Sequence, residues 1–545
     1  MNLPTRHSGT RLAAATPLLH DFLDAAMQRD DARVAVVAGP HRWTYGQLTT
    51  MANALAHKLR ACGVRRGDRV AVFADNRAEV VAAFWAIHKA DAVVVIVNPL
   101  TRTDKLRRLL ADCGAVALVA DATLAPTFVP AVAELGLRAV VLTDGGLAMA
   151  TAASAVPAPA QLVVPADLPV LDWATAVADD GTAPPPRHNI DRDLACIIYT
   201  SGSTGSPKGV MLSHHNMRSA ATALSAVIDS RADDVILSAL PLAFNYGLYQ
   251  MILAAYAGAQ LILERSLTFL TPVLQRMERE KVTAFPGVPT IFAMFAGVKN
   301  LADYDFSAMR YVTNTAAPLQ PAHRAVLAQM FPNASIYSMY GLTECKRCTW
   351  LPPADLARKP DSVGLPMPNI ECWVVDETGT RLGANQVGEL VVRGSNVMRG
   401  YWNKPEETAA CLRPGATPGE VVFYTGDLCR FDEEGYLYFV ARKDDIIKSR
   451  GEKVAPREVE AVLHELSNVK EAAVIGVPDA VLGFAIKAFV VLHDEAARDG
   501  ASCDAATVLR HCKARLEAYM VPTYIEFLSE LPKTDTGKIT KSELR

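Results

Sequence analysis

The sequence predicts an α/β protein. It has a large N-terminal domain of doubly wound sheets flanked by helices, a β-rich subdomain, and a small α+β domain at the C-terminus. Three observations support this prediction. Helix patterns alternate with uninterrupted apolar strands early in the chain, short strands with turn signals begin at about residue 365, and a smaller mixed unit follows Asp445. The chain has 545 residues, too many for one ordinary domain. We therefore expect domains at residues 1–443 and 444–545, with the β-rich, distorted barrel-like part at about 365–443.

The first helix–strand pairs carry the clearest local signals. Thr44, with Gln47 three residues later, has the form of a capping box, and apolar residues follow it at helical spacing. Residues 69–73 and 92–97 form continuous apolar runs on either side of a second helical pattern that contains Phe84. Uninterrupted strands joined through helices are typical of a parallel sheet that is covered on both faces.

Later elements follow in the same way. Residues 145–186 are rich in Ala, Pro and Gly, and residues 182–187 (TAPPPR) predict a stiff surface connection. Further strands are predicted at residues 194–199, 235–239, 260–263, 372–375, 388–393, 435–440 and 472–477, with helices beginning near Ser213, at Pro456 and at residues 505–516.

The overall charge balance excludes several classes of protein. Lys and Arg number 55 against 58 Asp and Glu, a net charge of −3, which argues against a nucleic-acid carrier. The N-terminus has no apolar signal-peptide core, and the nearest candidate for a membrane span, residues 80–100, is interrupted by charges. A cytoplasmic protein without a transmembrane segment is expected. Cys345 and Cys348 form a C-x-x-C pair without a second Cys/His pair, so a metal or redox role is not favoured.

A glycine-rich segment directly after an apolar strand predicts a phosphate site. Residues 199–209 read YTSGSTGSPKG, with glycines for close backbone approach, hydroxyl groups for oxygen atoms, and a charge on Lys208. The segment is not a Walker A loop, because Gly209 follows the lysine where that motif has Ser or Thr. The predicted nucleotide-binding residues here are Thr200, Ser201, Gly202, Ser203, Thr204, Gly205 and Lys208.

This segment resembles the phosphate-loop signature of the adenylate-forming superfamily, which includes acyl- and aryl-CoA synthetases, peptide-synthetase adenylation domains and luciferases. Four further motifs follow in the family's order, so the resemblance covers nearly the whole chain. It implies an ATP-dependent acid–thiol ligase. Such an enzyme forms an acyl-adenylate, releases pyrophosphate, and passes the acyl group to coenzyme A or to the phosphopantetheine of a carrier protein supplied in trans.

The second motif is YGLTE at residues 340–344. The resemblance implies that Tyr340 packs on adenine, that Gly341 and Thr343 line the nucleotide site with Thr343 at the α-phosphate, and that Glu344 holds Mg²⁺, with Thr200 as a further metal-site residue. A carboxylate beside phosphates is a ligand that this hard cation prefers.

The remaining nucleotide motifs are shorter. Residues 314–318 (NTAAP) resemble the segment that lines the adenine and acyl pockets, which implies contacts from Asn314, Thr315 and Ala316. Residues 424–427 (YTGD) resemble the ribose motif, with Asp427 accepting hydrogen bonds from the ribose hydroxyls. Arg442 is implied at the ribose or phosphate, although Ala441 stands before it where the family has Gly.

Three features belong to the small C-terminal domain, which the resemblance implies is a mobile lid. Asp444 corresponds to the hinge, Gly451 to the loop that meets the acceptor thiol, and Lys538 to the catalytic lysine. Attack of a carboxylate on the α-phosphorus gathers negative charge, so the step needs positioning and cations rather than a strong base.

The predicted acyl pocket contains Phe244, Asn245, Tyr246 and Gly247. Asn245 stands where amino-acid adenylation domains carry an Asp for the substrate ammonium, and a neutral amide cannot offset that buried charge. A fatty, hydroxy or aryl acid is therefore favoured. A stand-alone amino-acid adenylation enzyme (of the proline type, for example), a non-catalytic nucleotide-binding relative and a luciferase-type oxygenase remain as alternatives.

Overall fold

The computed structural model describes residues 17–143, 168–178, 182–200, 207–315, 319–449, 452–479, 483–493, 503–516, 518–533 and 539–544. The chain divides into two compact units, each described by itself. Unit 1 comprises Met1–Ile198 and Gly209–Ser266, and unit 2 comprises Tyr199–Lys208 and Leu267–Arg545. None of the described helices is both long and apolar enough to cross a membrane.

Unit 1 alternates strands and helices along the chain. Its helices are α1 (Asp21–Arg29), α2 (Tyr45–Ala61), α3 (Ala78–Lys89), α4 (Thr103–Cys113), α5 (Ala125–Val132), α6 (Trp173–Val177), α7 (His214–Ile228) and α8 (Asn245–Ala257). Its strands are β1 (Val34–Ala38), β2 (His41–Thr44), β3 (Arg69–Phe73), β4 (Val93–Val97), β5 (Ala115–Asp121), β6 (Ala139–Thr143), β7 (Val170–Asp172), β8 (Leu194–Thr200), β9 (Lys208–Ser213), β10 (Val235–Ser238) and β11 (Gln260–Leu263). The ends of β8 and β9 at residues 199–200 and 208 are counted with unit 2.

The strands of unit 1 form two layers of sheet. One runs β9-β8-β4-β3-β5-β6-β7, with parallel pairing from β8 through β7, and the other contains β10-β11-β1-β2, in which β2 alone is antiparallel. Every residue of β4 and of α3 is buried. The predicted parallel sheet is therefore confirmed, and its inner strand β4 is apolar throughout because neither of its faces meets water.

The local signals that predicted the first elements are present in the structure. The side chain of Thr44 accepts a hydrogen bond from the backbone N–H of Gln47, whose side chain accepts from the backbone of Thr44, so the capping box is formed at the start of α2. Ser213 and Asn216 form the same motif at α7. The connection at residues 182–187 has no regular structure, as predicted, and Arg60 donates to the carbonyl of Pro186 at 2.6 Å.

Unit 2 begins as a continuation of the α/β pattern and then becomes β-rich. Its helices are α9 (Leu270–Arg279), α10 (Pro289–Ala296), α11 (Pro321–Met330), α12 (Pro405–Cys411), α13 (Pro456–Leu463) and α14 (Ala505–Lys513). Its strands are β12 (Ala284–Gly287), β13 (Tyr311–Asn314), β14 (Ser335–Tyr340), β15 (Thr349–Leu351), β16 (Leu365–Pro366), β17 (Ile370–Val375), β18 (Gly388–Gly394), β19 (Gly400–Tyr401), β20 (Leu412–Pro414), β21 (Val421–Phe431), β22 (Leu437–Arg442), β23 (Ile447–Ser449), β24 (Glu452–Val454), β25 (Val469–Asp479), β26 (Gly483–Leu492) and β27 (Tyr524–Phe527).

Three groups of strands form the sheets of unit 2. Strands β12, β13 and β14 are parallel neighbours, and β15 and β16 extend them antiparallel. An antiparallel sheet β17-β18-β21-β20, with β22 paired to β21, is the predicted β-rich part. The third sheet, β24-β23-β26-β25 with β27 on β26, has apolar clusters on both faces, centred on Val474 and on Ile475.

Several predicted boundaries were wrong, including those of β22, α14 and β25. The strand predicted at residues 435–440 is β22, which begins at Leu437 because the carboxylate of Asp432 accepts hydrogen bonds from the N–H groups of Glu434 and Tyr436 and closes a turn there. Helix α14 ends at Lys513 rather than at residue 516. Strand β25 extends beyond 472–477 because its long ladder with β26 holds both ends.

Candidate nucleotide-binding site

Asp427 is presented by a local distortion of β21. Gly426, directly before it, has a φ of 71°, a left-handed conformation that glycine adopts without strain. Thr425 stabilises this segment, because its hydroxyl donates to the carbonyl of Leu390 at 2.9 Å and accepts from the N–H of Asp427 at 3.1 Å. The glycine in the YTGD motif is therefore required by the backbone, and it determines where the carboxylate lies.

Three side chains meet at Asp427, and we call Tyr340, Asp427 and Arg442 the Asp427 cluster. Tyr340 ends β14, and its hydroxyl donates to one carboxylate oxygen, while Arg442 donates to the other at 2.6 Å. Asp427 and Arg442 are also partners in the β21–β22 ladder. Tyr340 and Arg442, which were predicted from separate motifs, are therefore joined through the single buried carboxylate of Asp427.

Charge and burial keep these groups in fixed protonation states. Burial, reinforced by the charge of Asp427, raises the pKa of Tyr340 well above its ordinary value. Burial opposes the charge of Arg442, but attraction to Asp427 outweighs it and raises the pKa of the guanidinium. Tyr340 is consequently a neutral donor and Arg442 a cation at any physiological pH.

The loop after β14 is folded tightly on itself. The N–H of Cys348 donates to the carbonyl of Tyr340 at 2.9 Å, and a Cβ on Gly341 would lie 2.6 Å from the backbone nitrogen of Arg347. The carbonyl of Glu344 accepts from the N–H of Met398 at 2.7 Å. Gly341 is therefore required for close approach, and the loop holds Glu344 between two backbone anchors.

A second group of polar side chains surrounds Glu344, and we call Glu344, Tyr401 and Lys208 the Glu344 cluster. The hydroxyl of Tyr401 donates to Oε1 of Glu344 at 2.9 Å. The ammonium of Lys208 lies 5.2 Å from the centroid of the Tyr401 ring, within the range of a cation–π contact. The lysine of the glycine-rich segment and the carboxylate of the YGLTE motif therefore share one aromatic side chain.

The glycine-rich segment is described only at its two ends. Thr200 ends β8, the predicted strand, and Lys208 begins β9, a strand that was not predicted; the Thr200 hydroxyl lies 3.5 Å from the carbonyl of Lys208. The other residues predicted for this loop, Ser201, Gly202, Ser203, Thr204 and Gly205, lie outside the described residues.

The NTAAP segment follows β13. Asn314 and Thr315 are buried there, and Asn314 is paired in register with Ser338 of β14, two residues before Tyr340. The parallel β13 and β14 therefore bring this segment and the YGLTE motif to the same edge of the sheet. Ala316, predicted to share the site, lies outside the described residues.

The predicted acyl-pocket residues are gathered at the start of α8 in unit 1. Phe244 precedes the helix, Asn245 is its first residue, and Tyr246 and Gly247 complete the first turn. Asn76 fixes the segment that precedes them, because its amide donates to the carbonyl of Leu240 at 3.1 Å and accepts from the N–H of Leu242 at 3.0 Å.

The C-terminal predictions are described in part. The backbone of Asp444 belongs to a short 3₁₀ turn at Lys443–Asp445 that follows β22. Strands β23 and β24 are antiparallel on either side of the predicted thiol loop, but Gly451 lies outside the described residues, as does Lys538. Lys533 and Ile539, which stand on either side of Lys538 in the sequence, are antiparallel bridge partners.

Sequence reasoning missed Tyr401 and Asn76. Both stand in segments without a strong chemical signal, since a tyrosine before a Pro-initiated helix and an asparagine in a loop are common. Their roles depend on contacts across more than 50 and 150 residues of chain, respectively, to Glu344 and to Leu240. The sequence positions of Tyr401 and Asn76 therefore gave no indication of these long-range contacts.

The C-x-x-C pair lies directly after Glu344. The two sulfur atoms, Sγ of Cys345 and Sγ of Cys348, are 3.1 Å apart, and both side chains are fully buried. Burial raises the pKa of the Cys345 thiol. The hydrogen bond between the two thiols, together with burial, raises the pKa of the Cys348 thiol. Within the described residues, no group of three His, Cys, Asp or Glu side chains is arranged to hold a metal ion.

Comparison with known proteins gives a consistent result. The family described as AMP-binding enzyme matches residues 23–402, and its C-terminal domain family matches residues 458–538. A long-chain-fatty-acid–CoA ligase of Yersinia pestis is 33% identical over 97% of this chain and 94% of its own length. A feruloyl-CoA synthase of an Amycolatopsis species is 34% identical over 94% and 95%. The crystal structure of ATP-bound MatB from Rhodopseudomonas palustris superposes with a TM-score of 0.83 at 27% identity, over 96% and 98% of the two chains.

The fold and the motif order define an adenylate-forming acid–thiol ligase, which activates a carboxylic acid with ATP and transfers the acyl group to a thiol. The chain belongs to the AMP-binding enzyme family. The resemblance, fold class and reaction class predicted from the sequence are thereby confirmed.

Proposed function

We propose that this protein is an acyl-CoA ligase whose substrate is a fatty or aryl carboxylic acid without an α-ammonium group. The observation that carries the proposal is that the YGLTE motif supplies Tyr340 to the Asp427 cluster and Glu344 to the Glu344 cluster, which offers neighbouring sites for a nucleoside and for a metal–phosphate group. Relatives named long-chain-fatty-acid–CoA ligase and feruloyl-CoA synthase support the acceptor and the substrate class.

The Asp427 cluster would bind the nucleoside. The Tyr340 ring would pack on adenine, and Asp427 would accept hydrogen bonds from the ribose hydroxyls, exchanging its bond with Tyr340 for one with the ligand. Arg442 donates to the other carboxylate oxygen at 2.6 Å, so this cation holds the carboxylate in position beside the ribose. Asn314, Thr315 and Ala316 would line the adenine and acyl side of this site.

The Glu344 cluster would bind the phosphates and the metal. Thr343, Lys208 and the segment from Thr200 to Gly205 would contact phosphate oxygens. Glu344 fits Mg²⁺, since Tyr401 occupies its Oε1 and the donor set is one carboxylate, hydroxyl oxygens and the phosphates of the nucleotide. When bound, the metal supplies positive charge against the phosphates, and Thr200 would contribute its hydroxyl.

The substrate carboxylate would attack the α-phosphorus in line with the departing pyrophosphate. The chain's contribution is to position the two groups and to place the Lys538 ammonium where negative charge develops. The small domain, residues 444–545, would then turn about Asp444 so that the loop at Gly451 meets the acceptor thiol.

The acid is selected in unit 1. Asn245, at the first position of α8, is neutral, so a substrate ammonium there would lose its hydration without gaining a counter-charge. The aromatic Phe244 beside it favours an apolar acyl chain or ring. These two residues support a fatty or aryl acid over an amino acid.

A pyrophosphate-release screen tests the proposal. The purified protein is incubated with ATP, Mg²⁺ and hydroxylamine, and with fatty, aryl, hydroxy and amino acids, including proline, in parallel. The expected result is release with fatty or aryl acids and thioester formation with coenzyme A. Release with amino acids alone, or acyl transfer to a carrier protein but not to coenzyme A, would contradict it. Absence of release with every acid would favour the non-catalytic alternative, and light emission would identify an oxygenase.

A further inference from the structure

Tyr401 lies between two groups to which the proposed function assigns different ligands. Its ring lies under the ammonium of Lys208, 5.2 Å from the centroid, and its hydroxyl donates to Oε1 of Glu344 at 2.9 Å. The two contacts use chemically different parts of the side chain, the negative ring face and the O–H donor. One tyrosine therefore restrains a cation and an anion at the same time.

The backbone of Tyr401 is itself held in place. Its N–H donates to the hydroxyl of Thr408 at 2.9 Å, and that hydroxyl donates to the carbonyl of Lys404 at 2.7 Å. Tyr401 ends β19 and Thr408 lies in α12, so a strand and the following helix fix the position of the ring. The side chain is half-buried, which restricts its rotation.

We propose that Tyr401 is a positioning residue for the metal–phosphate site, keeping Lys208 and Glu344 apart so that each remains available to its own ligand. A lysine and a carboxylate that close on one another form an ion pair, and the pair then competes with phosphate for the lysine and with Mg²⁺ for the carboxylate. Tyr401 instead gives Lys208 a ring contact and Glu344 a hydrogen bond, and both are weaker than an ion pair. Phosphate can displace the ring contact, and Mg²⁺ can bind while the hydrogen bond remains.

The hydroxyl and the ring make separable contributions. Hydrogen bonds to a ligating carboxylate orient it, and their loss typically lowers metal affinity by about 10–100-fold. The Tyr401→Phe variant removes this bond but keeps the ring for Lys208, so it is expected to act on the metal alone. The Tyr401→Leu variant removes both contacts and is expected to weaken nucleotide binding as well.

The chain offers a matched control in the same unit. Tyr438 is also half-buried, its hydroxyl donates to Asp432 at 3.2 Å, and the guanidinium of Arg430 lies 4.3 Å from its ring centroid. It has the same two kinds of contact but belongs to neither cluster. The Tyr438→Phe and Tyr438→Leu variants therefore report the purely structural cost of losing such contacts.

The experiment measures binding rather than turnover. Calorimetric titration of the full chain with α,β-methylene-ATP across a series of Mg²⁺ concentrations gives both the analogue affinity and the metal concentration for half-maximal binding. Tyr401→Phe is expected to raise that metal concentration by about 10-fold while analogue affinity at saturating Mg²⁺ stays within about 2-fold. Tyr401→Leu is expected to raise the metal concentration for half-maximal binding and also to lower the analogue affinity at saturating Mg²⁺, and the Tyr438 variants are expected to change neither quantity.

The inference rests on the proposed function, and the titration separates their failures. If the parent chain shows no Mg²⁺-dependent binding of the analogue, the proposed function fails and Tyr401 has no such role. If the parent binds but Tyr401→Phe keeps the parent's metal dependence, or the Tyr438 variants shift it equally, only the role of Tyr401 is refuted. Should Tyr401→Leu melt before it can be titrated, Thr408→Val, which loosens the tyrosine without removing it, is expected to raise the metal requirement by about 2- to 3-fold. A Thr408→Val protein with parental metal dependence would also contradict the inference.

Discussion

The Asp427 cluster and the Glu344 cluster have similar components but opposite arrangements. Each contains one carboxylate, one tyrosine hydroxyl that donates to it, and one cation. At Asp427 the cation donates directly to the carboxylate, and both oxygens have protein partners. At Glu344 the hydroxyl bonds one oxygen, and the cation of Lys208 lies on the ring of Tyr401.

Under the proposed function, this difference would give two modes of ligand binding. A ligand at Asp427 would exchange with Tyr340, a partner already in place, whereas a metal at Glu344 would be added to a carboxylate that is already oriented by Tyr401. Exchange costs little when the new partner is another hydroxyl, such as that of a ribose. Addition requires a stronger ligand, which a divalent cation supplies.

The largest expected effect concerns Lys538, a cation that belongs to neither cluster. Under the proposed function, the Lys538 ammonium stabilises the negative charge that develops in the chemical step. Lys538→Ala should therefore lower adenylation by about 10²–10³-fold. Thioester formation from a supplied acyl-adenylate should be largely kept, because that step follows departure of pyrophosphate. Rapid-quench assays of the two half-reactions measure this.

Lys533→Ala is the control for that variant. Lys533 stands five residues earlier in the same tail and forms an ion pair with Glu471 at 2.5 Å, so it reports loss of a tail lysine with a structural partner. Adenylation that survives in Lys538→Ala, or falls equally in Lys533→Ala, would show that the catalytic assignment is wrong.

The next effect tests the addition mode. Glu344→Gln keeps an oxygen for the Tyr401 hydroxyl but removes the charge that a cation needs, so the Mg²⁺ concentration for half-maximal adenylation should rise by about 10–100-fold. The melting temperature should change little, because no buried charge is left unpaired. Glu371→Gln, which alters a surface ion pair with Arg393 in the same unit, is the control. A large fall in melting temperature without a metal effect would mean that Glu344 is structural.

The exchange mode predicts the reverse pattern at Asp427. In Asp427→Asn the amide keeps an acceptor for one partner, but its NH₂ can face the Arg442 donor, so the unfolding free energy should fall by about 1–3 kcal/mol. Arg442 is 44% exposed, which places the loss toward the lower end of that range. Denaturant unfolding and ATP titration measure the two consequences together. Weaker ATP binding without a metal effect is expected, and unchanged ATP affinity would contradict the ribose assignment.

The sequence predicted these two clusters unequally well. Tyr340, Asp427, Arg442 and Glu344 belong to motifs whose order along the chain identifies them. Tyr401 does not, because its role depends on packing across β19, α12 and the loop after β14, none of which leaves a local pattern. The tertiary structure likewise determines that Arg442 contacts Asp427 directly, whereas Lys208 contacts the ring of Tyr401.

The fold shows the same division. Strands β3 and β4 and helix α3 were predicted closely because burial on both faces requires continuous apolar residues. The boundaries of β22, β25 and α14 were wrong. A local turn closed by the Asp432 carboxylate determines the start of β22, and the long ladder with β26, a tertiary feature, determines the ends of β25. Local periodicity therefore identifies elements, and contacts determine where they end.

The last expected effect concerns the pH dependence of stability, and it contrasts both clusters with a group of histidines in unit 1 that is kept neutral. His20, His88 and His214 are buried near one another, with ring centroids of His88 and His214 5.3 Å apart. Burial lowers the pKa of His88 to about 4, and burial together with the neighbouring histidines lowers the pKa values of His20 and His214 well below 6.5. The His88 ring lies 2.7 Å from the carbonyl of Phe84.

These depressed pKa values determine how stability depends on pH. Above about pH 6.5 the histidines are neutral in both the folded and unfolded chains, so their effect is constant. As pH falls from 6.5 toward 4, the unfolded chain binds protons that the folded chain refuses, and stability is lost. For His88 alone the loss at pH 5 is about 2 kcal/mol.

Comparison of pH 7 and pH 5 in one variant isolates this contribution. His88→Gln is expected to be less stable than the parent at pH 7 but to lose about 2 kcal/mol less than the parent on acidification, as measured by denaturant unfolding at both pH values. His493→Gln, at an exposed position, should keep the parental difference. Because the test uses a difference between two pH values, the packing cost of the substitution cancels. A parental loss in His88→Gln would show that His88 does not contribute to the acid sensitivity.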